Sequence, residues 1–237
     1  MTLYLIGLGL NDEKDITLKG LDAVNKADFV YLENYTSKLN YSVRDLEKLY
    51  GRKIILADRE LVEKNAEEIL EKAKKTNVAF LVVGDVFSAT THIDLMLRAR
   101  KEKIDVKVVN NASVLTAVGI TGLQLYKFGK VTSIPSDNKN IKTPIEVFNF
   151  NYKNGLHTLF LLDPDGMTIN KAVEYLLRNN VDDNLLAVGC TALGSEKPEI
   201  KKGKLKDLLD IKFKKFPQCL IVPGKLHFME EEALELY

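Results

Sequence analysis

"GLGLNDEKDIT", residues 7–17, follows an apolar run that begins at Met1. Paired glycines at the end of an apparent first strand have the form of a dinucleotide-binding loop. There G-x-G-x-x-G leads straight into a helix whose free N–H groups face a pyrophosphate. Gly7 and Gly9 fit the pattern, and the third glycine position holds Asp12. Asp12, Glu13 and Asp15 would crowd a phosphate. Each carboxylate about 4 Å away costs about 1 kcal/mol in bulk water and about 4 kcal/mol in a semi-buried site. Lys14 cannot offset three of them. The loop is therefore a poor anion cradle and suits a ligand without phosphates, above all a cationic one. Glu33, ending a second apolar run, stands where a dehydrogenase would hold a ribose, which keeps an oxidoreductase among the readings. A glycine turn that serves only strand-to-helix geometry is the architectural alternative.

Three further stretches offer chemistry. In an open α/β sheet, ligands bind beyond the carboxyl ends of the strands. "GDVFSATTH" (84–92) is placed there, with Asp85 at a strand tip behind a turn-forming Gly84. "NNASVLTAVG" (110–119) leaves the next strand in the same direction, and Ser113 brings a hydroxyl and a helix start. "VPGKLH" (222–227) ends the last strand with a turn and the imidazole of His227. Each has a local alternative: an Asx-turn for Asp85, an N-cap for Ser113, a capping or surface residue for His227.

The elements that must position these loops alternate regularly in the first half. "LYLIGL" (3–8), "DFVYLE" (28–33), "KIILA" (53–57), "VAFLVV" (78–83) and "IDVKVV" (104–109) read as buried strands. Between them lie a helix capped by Thr17, a helix over Leu61–Lys75, and one from Gly84 to about Lys101. Such a pattern predicts a parallel sheet covered on both faces. A helix capped by Ser113 contains Gly119 and Gly122. Past residue 130 the strands "VTSIP", "HTLFLLD", "LLAVGCTAL" and "CLIVPG" mix with helices after Thr168 and over about Lys204–Leu209. The expected architecture is two α/β domains, 1–124 mainly parallel and 131–237 mixed.

Composition narrows the classes. The 237 residues are 46% hydrophobic and carry a net charge of +1, enough for a real core and against a nucleic-acid protein driven by phosphate neutralisation. No apolar run approaches the roughly 20 residues of a membrane span. No basic stretch precedes the first apolar run, so a signal peptide is not expected and the protein is predicted to be cytoplasmic. Cys190 and Cys219 read as buried reduced thiols, and the three scattered histidines give no metal-ligand spacing.

"GLGLNDEKDITLKGL", "YLENYTS", "GDVFSATTH", "SVLTAVGITGLQLYKFGK", "GLHTLFLLD" and "LIVPGKLH" together resemble the diphthine synthase family. That family is a branch of the tetrapyrrole-methylase-like S-adenosylmethionine (SAM) methyltransferases. The resemblance runs from Leu3 to about Phe228 and is most similar to the archaeal form. It implies SAM folded in a cleft between two domains, S-adenosylhomocysteine as product, no metal, and a homodimer. It implies elongation factor 2 as protein substrate, carrying a 3-amino-3-carboxypropyl group on a histidine whose amine is methylated on the way to diphthamide. Carried over by motif, the cofactor contacts are Leu10, Asp85, Ser88, Ser113, Val114, Leu162, Leu193 and His227. No catalytic residue is assigned. The superfamily's "GDP" is Gly84-Asp85-Val86 here, and the match at "CTALGS" is loose. A related methyltransferase acting on a tetrapyrrole or other small molecule is the alternative. A nucleotide-dependent oxidoreductase or a non-catalytic binding module is the third class.

Overall fold

The computed structural model of the chain describes residues 1–37 and 42–237, which pack as two compact units, Met1–Leu115 and Thr116–Tyr237. The first unit runs β1 (Thr2–Gly7), α1 (Leu18–Lys26), β2 (Phe29–Glu33), α2 (Val43–Tyr50), β3 (Ile54–Ala57), α3 (Arg59–Glu63), α4 (Glu67–Lys75), β4 (Val78–Val82), α5 (Ile93–Lys101) and β5 (Asp105–Val109). The strands pair in parallel in the order β3-β2-β4-β1-β5. Successive strand residues point to opposite faces, so each strand feeds two cores. Leu3, Leu5, Tyr31 and Phe80 pack with Ile69 of α4 and Leu95 of α5. Ile6, Val30, Leu32 and Leu81 pack with Val24 of α1 and Leu46 of α2.

Thr17 caps α1, accepting from the Gly20 N–H at 3.0 Å. The single helix expected over Leu61–Lys75 is two. Asp58 caps α3 through the Leu61 N–H, and the N–H groups of Lys64 and Asn65 both bond to the Glu60 carbonyl, which closes that helix before α4 begins. The helix expected from Gly84 starts only at Ile93, because Asp85 folds the preceding residues into a turn. The helix expected after Ser113 is one α-turn, α6 (Val114–Ala117), followed by a 3-10 turn that stops at Gly122.

The second unit contains β6 (Thr132–Ile134), α7 (Thr143–Lys153), β7 (Thr158–Leu162), α8 (Ile169–Arg178), β8 (Leu186–Thr191), β9 (Glu199–Lys204), β10 (Gln218–Val222) and α9 (Phe228–Leu234). Its sheet is mixed, in the order β6-β7-β10-β8-β9, with β6 and β7 parallel and the other neighbours antiparallel. Phe160, Leu220 and Val222 pack with Ile169, Val173 and Leu176 of α8. Residues Leu205–Leu209 form a 3-10 turn rather than the expected α-helix. Cys190 and Cys219 face each other across β8 and β10 as buried free thiols.

A buried charge network braces this unit. Glu230 is fully buried. Its Oε1 accepts from the Gln124 N–H at 2.9 Å and from His157 Nε2 at 2.8 Å. Its Oε2 accepts from the His227 N–H at 2.8 Å and from the Lys127 ammonium. His157 Nδ1 accepts from the Gly224 N–H at 3.0 Å, so the neutral ring carries its proton on Nε2 and donates to Glu230. Burial pushes the Glu230 carboxyl up, but Lys127 and the other donors outweigh it and bring its pKa to about 2. Burial holds His157 below its ordinary value.

Because the folded pKa of Glu230 lies below its ordinary 4.5, its contribution is complete above 4.5 and is lost as pH falls towards 2. That loss is on the order of 3 kcal/mol. Urea unfolding repeated between pH 5 and pH 2 should show it, and in Glu230→Gln the slope should flatten on a lower neutral-pH stability. An unchanged slope in that variant would contradict the network.

Candidate ligand-binding site

The strands of the first unit end level on one edge. Gly7 pairs with Val82 and Leu32 with Leu81, so β1, β4 and β2 finish in one row. Just past it, Gly9 and Gly84 form a two-way bridge: Gly9 N–H to Gly84 C=O at 3.1 Å, and Gly84 N–H to Gly9 C=O at 2.8 Å. Both sit in the left-handed region, at φ 83° and 79°, where glycine is favoured. A Cβ on Gly9 would also lie 2.5 Å from that of Asp15.

Asp15 occupies the donors of the first loop. Its Oδ2 accepts from the Leu10 N–H at 3.0 Å and the Asn11 N–H at 2.7 Å. Those are N–H groups that a phosphate-binding loop would turn to its ligand, and an internal carboxylate already occupies them. Asp12 caps the 3-10 turn Glu13–Asp15 through the Lys14 N–H. The loop is built around its own anion, and a second one would be repelled.

Asp85 plays the same part next door. Its Oδ1 accepts from the Phe87 N–H at 3.1 Å and the Ser88 hydroxyl at 3.2 Å. Its Oδ2 accepts from Asn110 Nδ2 at 3.0 Å and the Asn111 N–H at 3.2 Å. Burial pushes this carboxyl up, yet the donors, led by Asn110, hold it below the ordinary value. Asn111 completes the connection by donating from Nδ2 to the Gly7 carbonyl at 2.9 Å and the Asp15 carbonyl at 3.0 Å. Sequence reasoning did not single out Asn111. The only signal was its type, a turn-forming asparagine at a strand tip. Leu10 packs over Gly84, with Cδ2 3.7 Å from where a Cβ there would stand. Ser113 is buried, and its Oγ accepts from the Leu115 N–H at 3.1 Å, the ST-turn form of a cap. Leu10, Asp85, Ser88, Ser113 and Val114 therefore all belong to the carboxyl edge of this sheet. Glu33 belongs there too, but its carboxylate turns back onto its own chain, accepting from Tyr35 and Thr36, and does not offer itself to a ribose.

In the second unit, Leu162 ends β7, and Leu193 lies two residues past β8 in a turn with Ala192 at φ 49° and Gly194 at φ 89°. Both strands run antiparallel to β10, so these two leucines emerge at the same edge. His227 follows β10 and emerges at the other, where Val222 pairs with Thr158. It caps α9, with Nδ1 accepting from the Met229 N–H at 3.3 Å and its own N–H donating to Glu230. The structure thus brings Leu162 and Leu193 to one edge and sets His227 at the opposite one. Among the described residues, no cluster of His, Cys, Asp or Glu is arranged to hold a metal ion, and no helix is long and apolar enough to cross a membrane.

The two carboxylates respond differently to amidation. Asp15 uses one oxygen for both backbone donors, so Asp15→Asn can keep them and should be nearly neutral. Asp85 uses both oxygens, so in Asp85→Asn the amide NH2 must face a backbone N–H, at a cost of about 2 kcal/mol. Equal losses in the two variants, measured by urea unfolding, would contradict this geometry.

The sequence profile of the tetrapyrrole (corrin/porphyrin) methylases matches residues 2–209. A diphthine synthase from Methanocaldococcus jannaschii is 43% identical, covering 98% of this chain and 97% of its own length. A diphthine methyl ester synthase from Dictyostelium discoideum is 40% identical, covering 100% of this chain and 98% of its own. A crystal structure of a diphthine synthase superposes with a TM-score of 0.95 at 38% identity, covering 100% of this chain and 96% of that one. That likeness extends to both sheets, the parallel and the mixed. The chain therefore belongs to the tetrapyrrole (corrin/porphyrin) methylase family, on its diphthine synthase branch, and is a methyltransferase.

Proposed function

We propose that this methyltransferase uses SAM to methylate, step by step, the amine of the 3-amino-3-carboxypropyl-modified histidine of elongation factor 2, giving diphthine for diphthamide biosynthesis. The observation that carries the choice of cofactor is Asp15. A glycine loop whose N–H groups are filled by an internal carboxylate suits a ligand that brings no phosphate and carries positive charge, and SAM has both properties. The proposed contacts are Leu10, Asp85, Ser88, Ser113, Val114, Leu162 and Leu193. A contact from His227 rests on the family resemblance alone. We also propose a homodimer working in the cytoplasm.

When bound, SAM supplies a methyl group on a sulfonium. The chain's own work is binding and alignment, which together can lower a barrier by roughly 7–11 kcal/mol. Asp85, already saturated by four donors, acts chiefly through the Phe87–Ser88 and Asn110–Asn111 segments that it holds. The attacking amine can lose its proton to water before each round, so the chemistry requires no dedicated base. A tetrapyrrole or other small-molecule acceptor is not favoured by relatives that are 40–45% identical over nearly the whole chain and are named for diphthine.

Chemistry limits the nitrogen to three methyl groups, since a quaternary amine has no lone pair with which to attack again. Mass spectrometry of the modified elongation factor incubated with excess SAM should show one, two and finally three additions. Arrest at one would reject the reading. A fourth would locate a second acceptor, the neighbouring carboxylate, as a methyl ester. Light scattering should give a dimer mass, and a monomer mass at all concentrations would remove the proposed assembly.

A further inference from the structure

Of the two glycines that open the first loop, Gly9 has the left-handed backbone that favours glycine and Gly7 does not. Gly7 is the last residue of β1, and its neighbours are what deny it a side chain. A Cβ there would lie 2.6 Å from the Gly84 carbonyl oxygen and 2.9 Å from the Cβ of Asn111. The space left by the missing side chain is where Asn111 fits.

Asn111 bonds in every direction from that space. Its Nδ2 donates to the Gly7 carbonyl at 2.9 Å and to the Asp15 carbonyl at 3.0 Å, partners 104 and 96 residues away in the chain. Its Oδ1 accepts from the Ala112 N–H at 2.7 Å, and its own N–H donates to Asp85 at 3.2 Å. Two carbonyls on one side of the amide and an N–H on the other leave a single orientation that satisfies all of them. One half-buried side chain thus ties the loop after β1 to the loop after β5, while its backbone reaches Asp85 after β4. Each proposed cofactor contact of this unit stands beside one of these ties. The Leu10 N–H is held by Asp15, and the Ser88 hydroxyl by Asp85. Ser113 and Val114 follow Asn111 directly after Ala112.

We propose that Asn111 is a positioning residue for the methyl donor: by joining the loops after β1 and β5 it sets the spacing of the residues that contact SAM, without touching SAM itself. This rests on the reading of the carboxyl edge as part of the SAM site given above. The two bonds from Nδ2 keep the first loop closed. Without them the closed arrangement is held by only a fraction of the molecules, and apparent affinity falls by that fraction. Saturating ligand restores the arrangement, so the loss falls on KM for SAM and not on kcat.

Asn111→Asp and Asn111→Ala test this. In Asn111→Asp an oxygen replaces the NH2 and faces two carbonyl oxygens, with Asp15 and Asp85 as the charged neighbours. With about a tenth of the molecules closed, the Kd for S-adenosylhomocysteine should rise about tenfold at pH 8 in both variants. KM for SAM should rise alike, while kcat and KM for modified elongation factor 2 stay unchanged. The new carboxyl is held above its ordinary range by the oxygens and charges around it, so as pH falls towards 5 it gains a proton and donates to one of the carbonyls. The affinity of Asn111→Asp should then recover towards that of the wild type. Asn111→Ala has no donor at any pH and should stay weak. A lower melting temperature with unchanged Kd in both variants makes Asn111 structural only and overturns the proposal. So does a loss in Asn111→Asp that acid does not relieve, or a fall in kcat without a rise in KM for SAM. If the wild-type protein itself binds no S-adenosylhomocysteine, the functional reading fails before any variant is made.

Discussion

Backbone N–H groups at the ends of the parallel strands bond to carboxylates of the chain itself, and the arrangement of the first unit's site depends on this. Asp15 fills the N–H groups of the first loop, and Asp85 fills those after β4 and β5. Asn111 joins the two systems through Gly7 and Asp15. The paired glycines 9 and 84 permit the close approach that this stitching needs. A loop of the same outline with a glycine in place of Asp12 and no Asp15 would be free to receive a pyrophosphate. Carboxylates of the chain itself thus leave these N–H groups with no room for a phosphate.

The sequence made the first half of the fold readable because its strands are apolar throughout and its helices carry clear start signals, as with Thr17. Elements were missed where those signals fail. α7, "TPIEVFNFNYK", mixes β-branched, aromatic and asparagine residues that favour a helix only weakly. α2 and α9 are short, and the capping box of α9 begins with a histidine rather than a serine or threonine. The break between α3 and α4 comes from backbone bonds to Glu60, which leave no mark on the hydrophobic pattern.

Of the site, the loops were legible and the partners were not. Position at a strand tip follows from sequence order, so Asp85 and Ser113 could be named as site residues. That Asp85 spends its oxygens on Asn110 and Asn111, 25 and 26 residues away, could not be read from spacing. Nor could the placement of His227, because the edge on which it emerges depends on β10 running against both of its neighbours. The histidine's capping role was visible among the alternatives. Glu33 and Glu230 look alike in the sequence, and only the fold shows that Glu230 is paired with Lys127 while Glu33 accepts from its own turn at Tyr35 and Thr36.

Calorimetric titration of the wild-type protein with S-adenosylhomocysteine and, separately, with NAD tests most directly the central claim that internal carboxylates fit the first loop to a phosphate-free ligand. Saturable binding of S-adenosylhomocysteine with no heat from NAD is the predicted result. Tight NAD binding without S-adenosylhomocysteine binding would contradict it.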